Sequence, residues 1–300
     1  MKNPTVAALH IQGRRLRYAE IADTAEGPSV VTLGQHVLEA DLTPAILGVD
    51  GEGAQEGLDR LGEVREALSA KRGRVVVPPS AVYSFFVPLP AEVAPRERRQ
   101  HVLQQTALVT GMGTVTDLHV ASSGVRPARE QDGRPYEWVH VLAFPEEART
   151  RFQAAFELQE EWAWMISSEA SVQVPRADGP EASAPFALLV GEYDTHTEFS
   201  LVREAKWHHA QYTEASEHSE DLGYSLRSFL NGLDVSPAAV GELAAYGDPT
   251  TSAHRSVVEA ELGREATVLN PFASLMGEEE EEDPSAFVPC IGAALHALAD

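Results

Sequence analysis

Short apolar runs separated by tight polar turns mark two places in the chain. Residues 5–21 alternate apolar and polar positions on either side of Gly13, which predicts two strands joined by a tight turn. Residues 187–207 repeat this pattern around a polar turn at 192–195. The second turn and the strand after it offer side chains able to face a phosphate: Asp194, Thr195, His196 and Thr197. Two similar hairpins about half a chain apart predict two similar lobes.

The remaining segments alternate between strand and helix patterns. Strands are predicted over 29–39, 75–77, 82–89, 115–122, 136–144, 240–246 and 266–269. Apolar residues at helical spacing predict helices over 56–70 and 95–109, after Pro145, and around 222–230, 257–262 and 287–298. In the helix over 95–109, Val102, Leu103 and Leu108 are expected to face inward. The polar segment 124–134 is expected to be a mobile hairpin tip. Each half therefore predicts an α/β architecture with a mixed sheet.

A linker is predicted over residues 178–185, where Pro, Ala, Ser and Gly are concentrated. It divides the chain into a first lobe over 1–177 and a second lobe over 186–300. Both lobes are long enough to bury a core of their own.

Charge and composition exclude several classes of function. The chain has 46 acidic and 23 basic residues and a formal net charge of −23, so most of its surface would repel a nucleic acid. No apolar run approaches the roughly 18–20 residues that a membrane span needs, and residues 1–15 lack the apolar segment of a signal peptide. We therefore expect a cytoplasmic protein. The single cysteine, Cys290, excludes an internal disulfide and lies in an apolar run typical of a buried position.

Aromatic and histidine clusters in the sequence do not predict a metal or catalytic site. His208 and His209 are adjacent on a predicted strand, so their side chains point to opposite faces and cannot chelate one ion together. Trp162 and Trp164 are expected to pack in the core rather than to form a partner surface. We predict no catalytic residue and no metal ligand.

Several segments together resemble a known family. The opening segment ALHIQGRRLRYAEI aligns without gaps with a first phosphate motif of the type GIDIGSSSVKLVEL. The segment LLVGEYDTHTEFSLVREAKW aligns with a second phosphate motif of the type VDIGAGTTDLSVVRDGKL. Near the end, ATVLNPF and the helix IGAALHAL match VEVLNPF and AIGLALR. The chain thus resembles the PilM type of type IV pilus assembly protein, which has the actin-like ATPase (ribonuclease H-like) fold. The cytoplasmic domain of the type II secretion protein GspL is a related alternative.

The resemblance implies a place for a nucleotide and for an inserted subdomain. The subdomain would span about residues 82–145. The positions aligned with the phosphate and adenosine motifs are His10, Gln12, Gly13, Arg14, Arg15, Gly191, Asp194, Thr195, Thr197 and Gly247. In the family these motifs bind ATP with Mg²⁺.

The departures from the motifs indicate a degenerate nucleotide site. His10 and Gly191 stand where the family has acidic residues, and Tyr193 and Thr195 stand where it has glycines. Phosphate loops need glycine so that backbone N–H groups can approach the anion, and Mg²⁺ needs carboxylate oxygens. We therefore expect no cofactor.

An alternative keeps ATP and Mg²⁺ as cofactors of an active ATPase. Its ligands would then come from replacement side chains: Arg14, Arg15, Asp194 and Glu198. Exposed turn arginines without a ligand are the plainer interpretation of Arg14 and Arg15.

The second lobe is also short for an actin-like protein. Only 35 residues separate Lys206 from Glu242, which leaves little room for the subdomain that usually forms one wall of the nucleotide cleft. The resemblance then implies a cytoplasmic actin-like scaffold at the inner face of the inner membrane. It would bind the cytoplasmic tail of an inner-membrane assembly protein of the PilN type. Self-association stays open.

Overall fold

The computed structural model describes residues 4–46, 54–112, 115–131, 134–156, 162–175, 184–215, 219–248, 252–276 and 283–300. The strands of these ranges are β1 (Thr5–Gln12), β2 (Arg15–Thr24), β3 (Gly27–Val37), β4 (Gly73–Val77), β5 (Tyr83–Pro90), β6 (Leu118–Gln131), β7 (Arg134–Pro145), β8 (Ala163–Ile166), β9 (Phe186–Glu192), β10 (His196–Arg203), β11 (Lys206–Glu214), β12 (Val240–Gly247) and β13 (Thr267–Val268). The α-helices are α1 (Leu42–Ile46), α2 (Ala54–Ala67), α3 (Pro95–Thr110), α4 (Glu146–Ala155), α5 (Ser167–Ser171), α6 (Ser219–Gly232), α7 (Ser252–Leu262) and α8 (Val288–Ala299).

Two five-stranded sheets have the same construction. The first has the order β3-β2-β1-β4-β8 and the second β11-β10-β9-β12-β13. In each sheet the first three strands pair antiparallel and the last two join them in parallel. Parallel neighbours need a crossover, and the intervening helices supply it. The two hairpins found in the sequence thus begin two sheets of one topology.

The first hairpin has a two-residue turn that fixes its register. Gly13 has φ +57°, as the first central residue of a type II′ turn requires. Gln12 therefore pairs with Arg15, and His10 lies directly opposite Arg17. This register places His10 and Arg17 side by side where the turn approaches the second sheet.

The last helix, α8, packs on the first sheet although it follows the second sheet in sequence. Its buried residues contact a core formed by Val6, Ala8 and Val76, and Cys290 Sγ donates to the carbonyl oxygen of Ala8 at 3.4 Å. A Cβ at Gly292 would lie 2.0 Å from a backbone oxygen of α5, so the two helices approach at a glycine. The predicted second lobe, 186–300, therefore gives its final helix to the first sheet. The lobe boundary itself stays a prediction, since residues 178–183 of the linker lie outside the described ranges.

A third sheet, with the order β5-β7-β6, carries α3 on one face. Here the structure corrects two predictions. The segment 124–134 belongs mostly to two paired antiparallel strands, because β6 continues to Gln131 and β7 begins at Arg134; the side chain of Arg126 anchors this part of β6 to β11. Leu108 does not face inward but is 75% exposed. It lies six residues after the buried Val102, which is roughly 240° around a helix that turns about 100° per residue.

The chain described between β11 and β12 forms α6 and one short 3₁₀ turn. Trp162 and Trp164 are buried in the core, as expected. Among the described helices, none combines the length and apolarity that crossing a bilayer takes.

Candidate functional site

A cavity of about 430 Å³ lies where the two hairpin turns meet. Its lining residues are Gln12, Gly13, Arg14, Arg15, Val37, Asp41, Asp194, Thr195 and Asp248. Six of the ten positions picked out by the sequence are therefore brought together here. The other four, His10, Gly191, Thr197 and Gly247, are buried and do not line the cavity.

A buried ion pair in this region joins the two sheets. Arg17 Nη2 donates to Asp248 Oδ1 at 2.6 Å, and Arg15 forms an ion pair with the same oxygen. Arg17 is 2% exposed and Asp248 is 4% exposed. The backbone N–H of Asp248 also donates to the carbonyl oxygen of Glu192 at 2.8 Å. Arg15 and Arg17 are thus engaged by a carboxylate of the protein itself, whereas Arg14, which also lines the cavity, donates from Nε to the carbonyl oxygen of Leu38 at 2.7 Å.

His10 cannot replace the carboxylate whose position it takes. Burial lowers the pKa of His10 well below its ordinary value, and Arg17 and His196 lower it further. The ring is therefore neutral at pH 7. Both of its nitrogens are buried, and neither has a hydrogen-bond partner among the described residues.

Aromatic rings fill the space behind the second turn. Tyr193 is fully buried and stacks on His196 at a centroid distance of 4.9 Å. It also meets His10 and Tyr246 edge-on, at 6.2 and 6.4 Å. These rings form an aromatic cluster that links β1, β10 and β12 behind the second turn.

Glu198, an acidic residue within the aligned second motif, is enclosed by this cluster. Glu198 is fully buried and accepts hydrogen bonds from Tyr246 Oη at 2.9 Å and from Ser167 Oγ. His196 Nε2 lies 3.0 Å from Oε1 of the same carboxylate. A carboxylate with three protein partners has no access to a metal ion in the cavity.

Two glycines at motif positions have packing roles. A Cβ at Gly191 would lie 2.7 Å from the ring of Tyr246, so this glycine admits an aromatic ring. Gly247 has φ +106°, and a Cβ there would lie 2.4 Å from the carbonyl oxygen of Glu192. Both glycines thus allow other groups of the protein, rather than a phosphate, to approach the backbone closely.

His196 and Thr197 do not face the cavity, contrary to the sequence prediction. Both are buried, and Thr197 Oγ1 lies 3.2 Å from His254 Nδ1 on α7. Because β10 alternates its side chains between two buried faces, neither face of this strand opens on the turn. Only Asp194 and Thr195 of the four polar turn residues are exposed.

The donor set does not fit Mg-ATP. Besides Asp248, the cavity is lined by the carboxylates of Asp41 and Asp194, and Asp41 Oδ1 accepts the N–H of Thr43 at 2.8 Å. Gly13 is the one glycine among the described residues that line the cavity. Among the described residues, no group of three or more His, Cys, Asp or Glu side chains is placed to bind a metal ion. Among its described lining residues the cavity lacks the glycine-rich backbone cradle that the phosphates of a magnesium nucleotide need.

Sequence reasoning missed Arg17, the residue that closes the site. Its signal was available, since the two-residue turn at Gly13 places Arg17 opposite His10 on an inward-facing pair. Its partner, Asp248, is likewise absent from the predicted site positions.

Comparison with known structures identifies the fold. A chain from a PilM-PilN type IV pilus biogenesis complex matches with a TM-score of 0.71 and 15% identity, over 98% of each chain. A Bacteroides thetaiotaomicron protein with an actin-like ATPase fold matches with a TM-score of 0.56 and 10% identity, over 96% of this chain and 97% of that one. The ethanolamine utilization protein EutJ from Carboxydothermus hydrogenoformans matches with a TM-score of 0.50 and 10% identity, over 98% and 90%. No protein-family model and no curated protein matches the sequence. The predicted fold class is confirmed: the chain has the actin-like ATPase fold and resembles PilM in structure.

Proposed function

We propose that this chain is an actin-fold scaffold that does not hydrolyse ATP. The observation that carries the proposal is the buried pair of Arg17 and Asp248, with Arg15 on the same carboxylate. A triphosphate at this place would have to displace Asp248 from two guanidinium groups. It would also have to approach a turn whose glycines are replaced and whose inner space holds Tyr193.

A calorimetric titration with ATP and Mg²⁺, paired with thermal unfolding, tests this proposal. A ligand that binds only the folded state at about 100 times its Kd raises the unfolding free energy by about 2.7 kcal/mol. We expect no binding heat and no change in Tm. Saturable heat with a raised Tm would overturn the proposal in favour of an ATPase with rearranged ligands. The variants Arg14→Ala and Asp194→Ala, which alter the cavity lining, would then locate the phosphates.

The scaffold would bind the cytoplasmic tail of an inner-membrane assembly protein of the PilN type, which would hold it at the inner face of that membrane. Support comes from the similarity to a chain of a PilM-PilN complex. A cleft of about 250 Å³ suits an extended tail, because it lies between β6 and β8, which are edge strands of two different sheets. Edge strands offer unpaired backbone groups to an added peptide strand.

Charge adds a second expectation for the tail. With a net charge of −23, the chain attracts a basic segment, and this attraction is screened by salt. We expect the tail peptide of a PilN-type protein from the same organism to bind, with an affinity that falls as ionic strength rises.

A blocking variant locates the tail. Ala163 is exposed and lines the cleft, so Ala163→Trp would fill it without entering the core. Ala154→Trp is the matched control, since Ala154 is exposed on α4 away from the cleft. Tail binding by the control and not by Ala163→Trp supports the site. Equal binding by both variants would show that the tail binds outside this cleft. No binding by the unaltered protein would overturn the proposed partner.

A further inference from the structure

A second cavity, of about 690 Å³, lies between the three-stranded sheet and the second lobe. Pro127 on β6 and Leu233, just after α6, give it apolar walls, and Trp138 adds an aromatic surface. Arg126 and His209 bring polar groups to the same space. This cavity is separate from the one at the hairpin turns and shares no lining residue with it.

The Arg126 side chain is fixed through its Nε atom, which leaves its two Nη groups available to a ligand. Its Nε donates to the carbonyl oxygen of His208 at 2.9 Å, and its Cζ lies 5.2 Å from the centroid of the Trp138 ring. Neither Nη group has a hydrogen-bond partner, and no carboxylate forms an ion pair with this arginine, in the part of the chain that the structure describes. The side chain is half-buried, and burial lowers its pKa. A guanidinium nevertheless stays charged in proteins.

The neighbouring histidines do not share this charge. Burial lowers the pKa of His209 to about 4, and Arg126, His208 and His140 lower it further. The pKa of His208 is likewise about 4, lowered first by burial. At pH 7 both rings are neutral, so Arg126 carries the positive charge of this cavity among its described lining residues. Among the described lining residues the one acidic residue is Asp234, which follows α6.

These features select one chemistry of ligand. A planar carboxylate can accept two hydrogen bonds from the end of a guanidinium. The Trp138 ring and the apolar walls suit an aromatic or aliphatic body attached to that carboxylate. The carboxylate of Asp234 in the same lining disfavours a doubly charged anion such as phosphate. We infer that this cavity binds a monocarboxylate with an apolar body, with the carboxylate on the Nη groups of Arg126 and the body against Trp138.

A matched pair of probes tests the inference. N-acetyl-phenylalanine carries the carboxylate and an aromatic ring, and N-acetyl-phenylalanine amide differs only by lacking the charge. We expect saturable binding of the acid by calorimetry, with at least a tenfold weaker response to the amide and to inorganic phosphate. Phenylacetate, as a free acid, distinguishes a small-molecule ligand from a peptide C-terminus: tighter binding of phenylacetate points to the former and tighter binding of the N-acetyl amino acid to the latter.

Variants assign the binding to the residues named. Arg126→Gln should weaken the acid at least tenfold, and Arg126→Lys keeps the charge but loses the two-point contact, so it should give an intermediate value. Arg134→Gln removes an equal charge from an exposed position on the neighbouring strand and should bind as the unaltered protein does. The change of tryptophan fluorescence on binding should disappear in Trp138→Phe. Absence of saturable binding, or equal binding of acid and amide, would overturn the inference without any variant, as would unchanged binding by a folded Arg126→Gln.

Discussion

Replacing Asp248 by alanine tests the idea that this carboxylate closes the cleft. The change leaves Arg17 charged and 2% exposed, with no acceptor, while Arg15, 30% exposed, can turn to solvent. No other acceptor compensates Arg17, because its Nε and Nη1 already lack hydrogen-bond partners among the described residues. Removing one partner of a buried ion pair costs about 3–5 kcal/mol. We expect a loss of that size in unfolding free energy, measured by urea denaturation followed by circular dichroism.

A double-mutant cycle separates this effect from a general loss of packing. In the background of Arg17→Met no buried charge is left to satisfy, so Asp248→Ala should then cost about 1 kcal/mol or less. Glu63→Ala breaks the exposed pair with Arg60 and should leave the unfolding midpoint unchanged. An equal cost of Asp248→Ala with and without Arg17 would refute the reasoning, because the carboxylate would then be stabilising something other than the guanidinium.

Three further predictions concern backbone conformation, close packing and pH. Ala205 has φ +60° in the β10–β11 turn, so Ala205→Gly should raise the unfolding free energy by up to about 1 kcal/mol, measured by urea denaturation. Gly191→Ala puts a Cβ 2.7 Å from the Tyr246 ring and should destabilise by about 1–3 kcal/mol, whereas Gly62→Ala on α2 meets nothing within 4 Å and should stabilise by up to about 1 kcal/mol; similar effects of the two changes would contradict the packing role. Since burial lowers the pKa of His209 from 6.5 to about 4, the unfolded state takes up the proton first, and stability should fall as pH drops from 6.5 to 4. His209→Gln should reduce that slope by up to about 1.4 kcal/mol per pH unit, and an unchanged slope would count against it.

The sheets were predictable because their signals are local. Alternation on either side of Gly13 specifies the first hairpin, and the turn residues specify its register. The end of β6 was not predictable in this way, because its sequence is polar. The contact that orders it, from Arg126 to the carbonyl oxygen of His208, spans 82 residues. The inward orientation predicted for Leu108 was wrong for a separate reason, since an apolar residue on a helix need not face the core.

The candidate site was predictable in position but not in chemistry. Motif alignment found six residues of the cavity, because the two turns lie at equivalent places in two similar sheets. The pairing of Arg17 with Asp248 joins residues 231 positions apart and depends on how the sheets approach each other. No rule of residue spacing contains that information. The absence of the motif glycines could therefore be read from the sequence, but the ion pair between Arg17 and Asp248 could not.

The residues at the aligned motif positions depend on one another through packing and hydrogen bonds. Gly191 is needed because the Tyr246 ring lies against it, and Tyr246 in turn donates to Glu198. Tyr193 stacks on His196, whose Nε2 lies 3.0 Å from the same carboxylate. Restoring a single motif residue would therefore leave a cavity or an unpaired buried carboxylate in place of a phosphate site. A substitution such as Tyr193→Gly should lower stability without creating affinity for Mg-ATP, because the aromatic rings and Glu198 act as one packed unit.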